Sequence, residues 1–157
     1  MKLVAAFGLC LAFALGMPVL AQDKPADNMD VLLQKIKADK KLVVADNMGL
    51  TETEAKAFWP VYDAYQSDLM KLNARIGKAI TSYADAYNAG AIPDAKATEL
   101  LNESLAIEDA ELKLKRDYLP KLGAVLPGAK VARYYQIESK IRAAIKFEMA
   151  AGIPLVN

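Results

Sequence analysis

The sequence predicts an all-α fold: an elongated four-helix protein built around a long, kinked antiparallel helical hairpin. Three observations lead there. Apolar residues recur at helical spacing over long stretches. Alternating Val- and Thr-rich runs that would read as strands are few. Short breaks at residues 47–49, 88–93 and 126–128 divide the chain into helix-sized pieces.

The chain opens with the layout of an export signal. Lys2 supplies a positive charge, residues 3–15 are almost wholly apolar, and Gly16 and Pro18 interrupt the run. Val19-Leu20-Ala21 then offers a small-residue cleavage site before Gln22. The apolar run is shorter than the roughly 20 residues a membrane span needs. Residues 1–21 are therefore expected to be a cleaved signal peptide, with no stable membrane insertion of the product. Cys10 follows Leu9 inside the apolar run, not at a cleavage point, so a lipid-anchored product is not expected.

Cleavage would leave 136 of the 157 residues, one domain's worth of chain. It would take away Cys10, the single cysteine, and Lys2, one of 20 basic residues, leaving the remainder balanced against 19 acidic ones. Disulfides are then excluded, and the basic excess of a nucleic-acid footprint is missing.

Each element follows in order. Residues 22–28 read as a flexible leader and residues 29–157 as a single helical domain. A first helix is expected over residues 29–46, with Val31, Leu32, Ile36, Leu42 and Val43 as a partial apolar face. After the break at Asn47-Met48-Gly49 comes Leu50-Thr51-Glu52-Thr53-Glu54. Thr51 and Glu54 form a capping box, in which the hydroxyl takes an orphan N–H and the carboxylate reaches back to the cap's own N–H. Leu50 stands where a hydrophobic staple belongs.

The second helix is expected over residues 52–89. Phe58, Tyr62, Tyr65, Leu69, Leu72, Ile76, Ile80, Tyr83 and Tyr87 take eight steps across 29 residues, about 3.6 per step, one face of an α-helix. Pro60 removes a hydrogen bond and predicts a kink near residues 56–59. A third helix is expected over residues 94–125, with Pro93 suited to its first turn; it carries a broad apolar stripe interrupted by Glu108, Glu111 and Lys115, and contains Pro120 as a second kink point. The two kinks are expected at opposite ends of the hairpin. The fourth helix, over residues 129–151, uses Val131, Tyr134, Ile137, Ile141 and Ile145. The apolar tail at residues 152–157 is expected to dock, in its own core or on a partner.

This layout resembles the Spy/CpxP family of periplasmic helical proteins. The family's signature is a repeated Leu-Thr-x-x-Gln at helix starts. Here Leu50-Thr51-Glu52-Thr53-Glu54 carries Glu in place of Gln, and Leu126-Pro127-Gly128-Ala129-Lys130 keeps only the Leu and the helix start. The resemblance implies a periplasmic protein of envelope stress, curved and often dimeric. Some relatives bind unfolded proteins without ATP, and others sense metals for a signalling system.

The residues weigh between these branches. The chain has no His, and transition-metal sites favour nitrogen and sulfur ligands. No metal and no cofactor is expected. Glu108, Asp109 and Glu111, like Glu138, read as solvated surface charge. Without His, and with Cys10 in the signal, the common triads and thiol chemistries are missing, so no enzyme is expected. The leading expectation is a protein-binding protein, an ATP-independent chaperone for unfolded or envelope proteins that forms a homodimer. The alternative is a sensor or regulatory subunit of a signalling system. The candidate protein-binding surface is Trp59, Tyr62, Tyr65, Tyr83 and Tyr87 with Ile153, Leu155 and Val156 of the tail. Tyr and Trp combine apolar area with a polar handle, although Tyr62 and Tyr65 also fall on the face expected to be core.

Overall fold

A computed structural model describes the backbone of residues 25–156, with side chains at residues 34 and 36 and from 38 onward. The expected signal peptide, residues 1–21, lies outside the described residues. The fold is all-α, with four helices in the described residues: α1 (Pro25–Met48), α2 (Glu52–Asn88), α3 (Asp94–Gly123) and α4 (Gly128–Gly152). At 37 residues, α2 is about 55 Å long. None of these helices is long and apolar enough to cross a membrane.

The chain order produces a hairpin and a clasp. The turn at residues 89–93 folds α3 back along α2, and Arg75 reaches Glu103 across that pair while Tyr118 reaches Asp68. The short connection at residues 124–127 then sends α4 back along α3. Finally α1, the first helix, lies against α4, the last: Lys40 bonds Glu138, and Arg133 donates to the Asn47 carbonyl.

Two helix starts explain much of this arrangement. Thr51 caps α2 as expected: the Glu54 N–H donates to Thr51 Oγ1 at 3.3 Å, and the Thr51 N–H donates to Glu54 Oε2 at 2.8 Å. Lys130, in the first turn of α4, bonds the same Glu54 carboxylate and the Gly49 carbonyl. Gly49 takes φ +57° just past α1, the left-handed conformation that glycine adopts without penalty. Thus cations from α4 satisfy carbonyls that the end of α1 leaves without helical partners.

Several expectations need correction. Residues 25–28 of the expected leader are helical, as part of α1. The helix is also two helices in series. Asp39 has extended dihedrals (φ −163°, ψ 99°), and its carboxylate accepts from the Leu42 N–H at 3.1 Å, the geometry of an N-cap. Pro60 and Pro120 lie inside α2 and α3 as expected, but not at opposite ends of the hairpin. Because the pair is antiparallel, the early Pro60 and the late Pro120 come to the same end.

The core lies at that end. Phe58, Tyr62, Tyr65, Leu69 and Leu72 of α2 are buried with Val44 and Met48 of α1, Tyr118 and Leu122 of α3, and Val131, Tyr134 and Ile141 of α4. Tyr134 is the hub, packing edge-on against Phe58 at 5.3 Å, Tyr62 at 6.0 Å and Tyr65 at 6.1 Å between ring centroids. Such edge-to-face pairs add to the area term. Tyr65 Oη is buried without a hydrogen-bond partner among the described residues, an arrangement that costs about 1–3 kcal/mol.

Candidate functional site

The α2 stripe has two fates. Its first half, through Leu72, is buried, whereas Ile76, Ile80, Tyr83 and Tyr87 are only half-buried. Between this second half, the start of α3 and the end of α4 lies an open cleft of about 320 Å³. Ile76, Ile80, Leu100, Ile107, Met149 and Ile153 provide apolar walls, and Glu108, Glu111 and Lys146 bring charge to it.

Glu111 is the electrostatic centre at the border of cleft and core. Its carboxylate accepts from Arg142 Nη2 at 2.9 Å and Lys115 Nζ at 2.9 Å, and Lys146 Nζ lies 3.4 Å away. Arg142 also donates to Asn73 Oδ1 at 2.9 Å, tying α2 into the cluster. Burial is the largest single influence on Glu111 and raises its pKa. The hydrogen bonds and charges of Arg142 and Lys115 together outweigh burial and hold it down at about 2. A second buried carboxylate, Glu138, accepts from Lys40 at 2.6 Å deeper in the core. The reading of Glu111 and Glu138 as solvated charge is therefore corrected: both are buried and paired, as isolated carboxylates could not be. The pattern held a signal. Tyr134, Glu138, Ile141, Arg142 and Ile145 share one face of α4, and Ile107, Glu111, Leu114, Tyr118 and Leu122 share one face of α3.

The expected surface residues divide between the two ends of the molecule. Tyr62 and Tyr65 are buried and leave the candidate surface, because α4 packs its Tyr134 against both. Trp59 is half-buried beside them, edge-on to Phe58 at 5.0 Å, with Lys41 Nζ 5.1 Å from its ring centroid. At the far end Tyr83 lines the cleft and stacks on Tyr87 at 6.1 Å. The Tyr83 hydroxyl donates to the Pro154 carbonyl at 2.8 Å. This bond fastens the tail, and Ile153 enters the cleft wall. Leu155 and Val156 stay exposed, so the tail docks by its backbone and Ile153 alone. Sequence reading misses the contributions of Leu100, Ile107 and Met149, which come together only through tertiary packing.

Among the described residues, no three His, Cys, Asp or Glu side chains converge as a metal site would need. What the cleft offers chemically is apolar contact with a charged border. No protein-family model, no curated protein and no solved structure matches this chain.

Proposed function

We propose that this chain is an exported protein-binding protein of the periplasm that holds apolar segments of unfolded polypeptides without ATP. The observation that carries the reading is the open apolar cleft between α2, α3 and α4, whose wall residue Ile153 is followed in the chain by the exposed Leu155 and Val156. Concave apolar surface that a chain leaves uncovered marks interaction sites. The charged border formed by Glu108 and Lys146 leaves room for polar backbone and side chains of a client beside its apolar residues. Binding by this surface requires no catalytic group.

The test is light scattering of a chemically denatured model protein diluted with and without the purified chain. Suppression of aggregation is expected, weakened by Ile80→Asp in the cleft wall and by Leu155→Asp in the tail. Leu155 is 89% exposed, so its substitution leaves the fold intact. Absence of suppression at several-fold molar excess overturns the reading.

A further inference from the structure

Helix α3 carries two apolar stripes that the sequence blends into one. Ile107, Leu114, Tyr118 and Leu122 face the rest of the molecule. Leu101, Leu105, Leu112 and Leu119 face outward and are 60%, 53%, 47% and 52% exposed. At about 100° per residue these four fall within an arc of roughly 40° and extend over about 27 Å of helix. Leu105, Leu112 and Leu119 are spaced by sevens, as in a coiled-coil seam.

The flanks of this stripe are charged in a particular order. Glu108 and Lys115 lie on one side of the leucines, and Asp109 and Arg116 on the other, with Leu112 midway between the acidic and the basic pair. Glu108, Asp109 and Arg116 make no ion pair among the described residues. Lys115 is held by Glu111, which also has Arg142 and Lys146 beside it and retains counter-charge if Lys115 turns outward.

We infer that this face binds a second copy of the chain, with the two α3 helices antiparallel about a two-fold axis at Leu112. In that register Leu112 meets its own copy, and Leu105 meets Leu119 of the second copy. Leu101 comes level with Gly123 of the second copy, whose missing side chain would otherwise point into open space. Glu108 faces Lys115 of the second copy and Asp109 faces Arg116, so both flanks are complementary twice over. A parallel pairing puts Glu108 beside Asp109 and Lys115 beside Arg116, like against like, and is disfavoured on both flanks. The occupant is thus specified by the chain's own charge order. Except for Glu108, none of these residues lines the cleft, so self-association and client binding are separable.

Sedimentation velocity of the purified chain tests the pairing. A concentration-dependent dimer is expected. Leu112→Glu is expected to be monomeric with unchanged circular dichroism and melting. Arg116→Glu is expected to weaken the dimer about tenfold, two rim pairs being lost, and the swap Asp109→Arg with Arg116→Glu to restore it. In a Cys10→Ser background, oxidation of a mixture of Leu105→Cys and Leu119→Cys chains is expected to join 105 to 119. A monomer at all concentrations, as expected if another protein or a lipid surface covers the stripe, overturns the inference. So does a swap no tighter than the single reversal, or crosslinking of 105 only to 105. None of these outcomes bears on aggregation suppression.

Discussion

The two ends of the hairpin share one apolar stripe on α2 but differ in what covers it. Near the start of α2, helices α1 and α4 close over Phe58, Tyr62 and Tyr65, and the aromatic rings pack edge to face around Tyr134. Near its end, Ile76, Ile80 and Tyr83 meet α3 and α4 across an open cleft. The helix starts differ in the same sense. Helix α2 begins on a complete capping box bonded to α4, whereas α3 begins at Pro93 with no side-chain cap. One end is built for stability, and the other leaves apolar surface uncovered. Periodicity says which way a residue faces; it does not say whether anything stands opposite.

The contrast is sharpest in paired truncations. Phe58→Ala is expected to lose about 4 kcal/mol on urea unfolding, as buried aromatic truncations do, while Ile80→Ala in the half-covered cleft loses about 1 kcal/mol. Equal losses would mean that the cleft is as closed as the core.

Glu111 stands at the border of the two ends, and Glu111→Gln is expected to cost about 3 kcal/mol at neutral pH, because it leaves Arg142 and its neighbours without their anion. The pH dependence has a definite sign. The folded carboxyl is held at about 2 against an ordinary value of 4.5. Between these values the unfolded chain binds more protons, so stability falls as pH drops from 4.5 toward 2. Melting curves across that window are expected to show this acid loss in the parent chain and to lack that component in Glu111→Gln.

The smallest expected effect is at the cap. Thr51→Ala removes the hydroxyl that accepts the Glu54 N–H and is expected to cost about 1 kcal/mol by thermal melting. Removing the residue at the uncapped start of α3 tests the other side: Pro93→Ala has no side-chain cap bond to lose.

Much of this architecture is legible in the order of the amino acids. The start of α2 at Thr51, its end at Asn88 and the break at Gly49 each carry local chemistry, so local reading finds them. The division of α1 at Asp39 escapes it because the highly charged segment around that residue reads as helix surface, although an Asp three residues before Leu42 is also a cap signal. The buried charges escape for a different reason. Glu111 and Arg142 are 31 residues apart, and nothing local to either announces the other. The cleft is half legible: Tyr83 and Ile153 stand out in the sequence, while Met149 and Leu100 belong to it only because α4 returns to that end.

The clasp between the first and last helices has a consequence for the order of assembly. Arg75 and Glu103 are 28 residues apart, whereas Lys40 and Glu138 are separated by 98. Closing the longer loop costs about 1 kcal/mol more in chain entropy, and the α2–α3 hairpin needs only its own short turn to form. Local contacts are made early in folding. The α2–α3 hairpin is therefore the part the chain can build first; the α4 wall of the cleft follows only when α4 returns, and the aromatic end closes only when α1 finds α4.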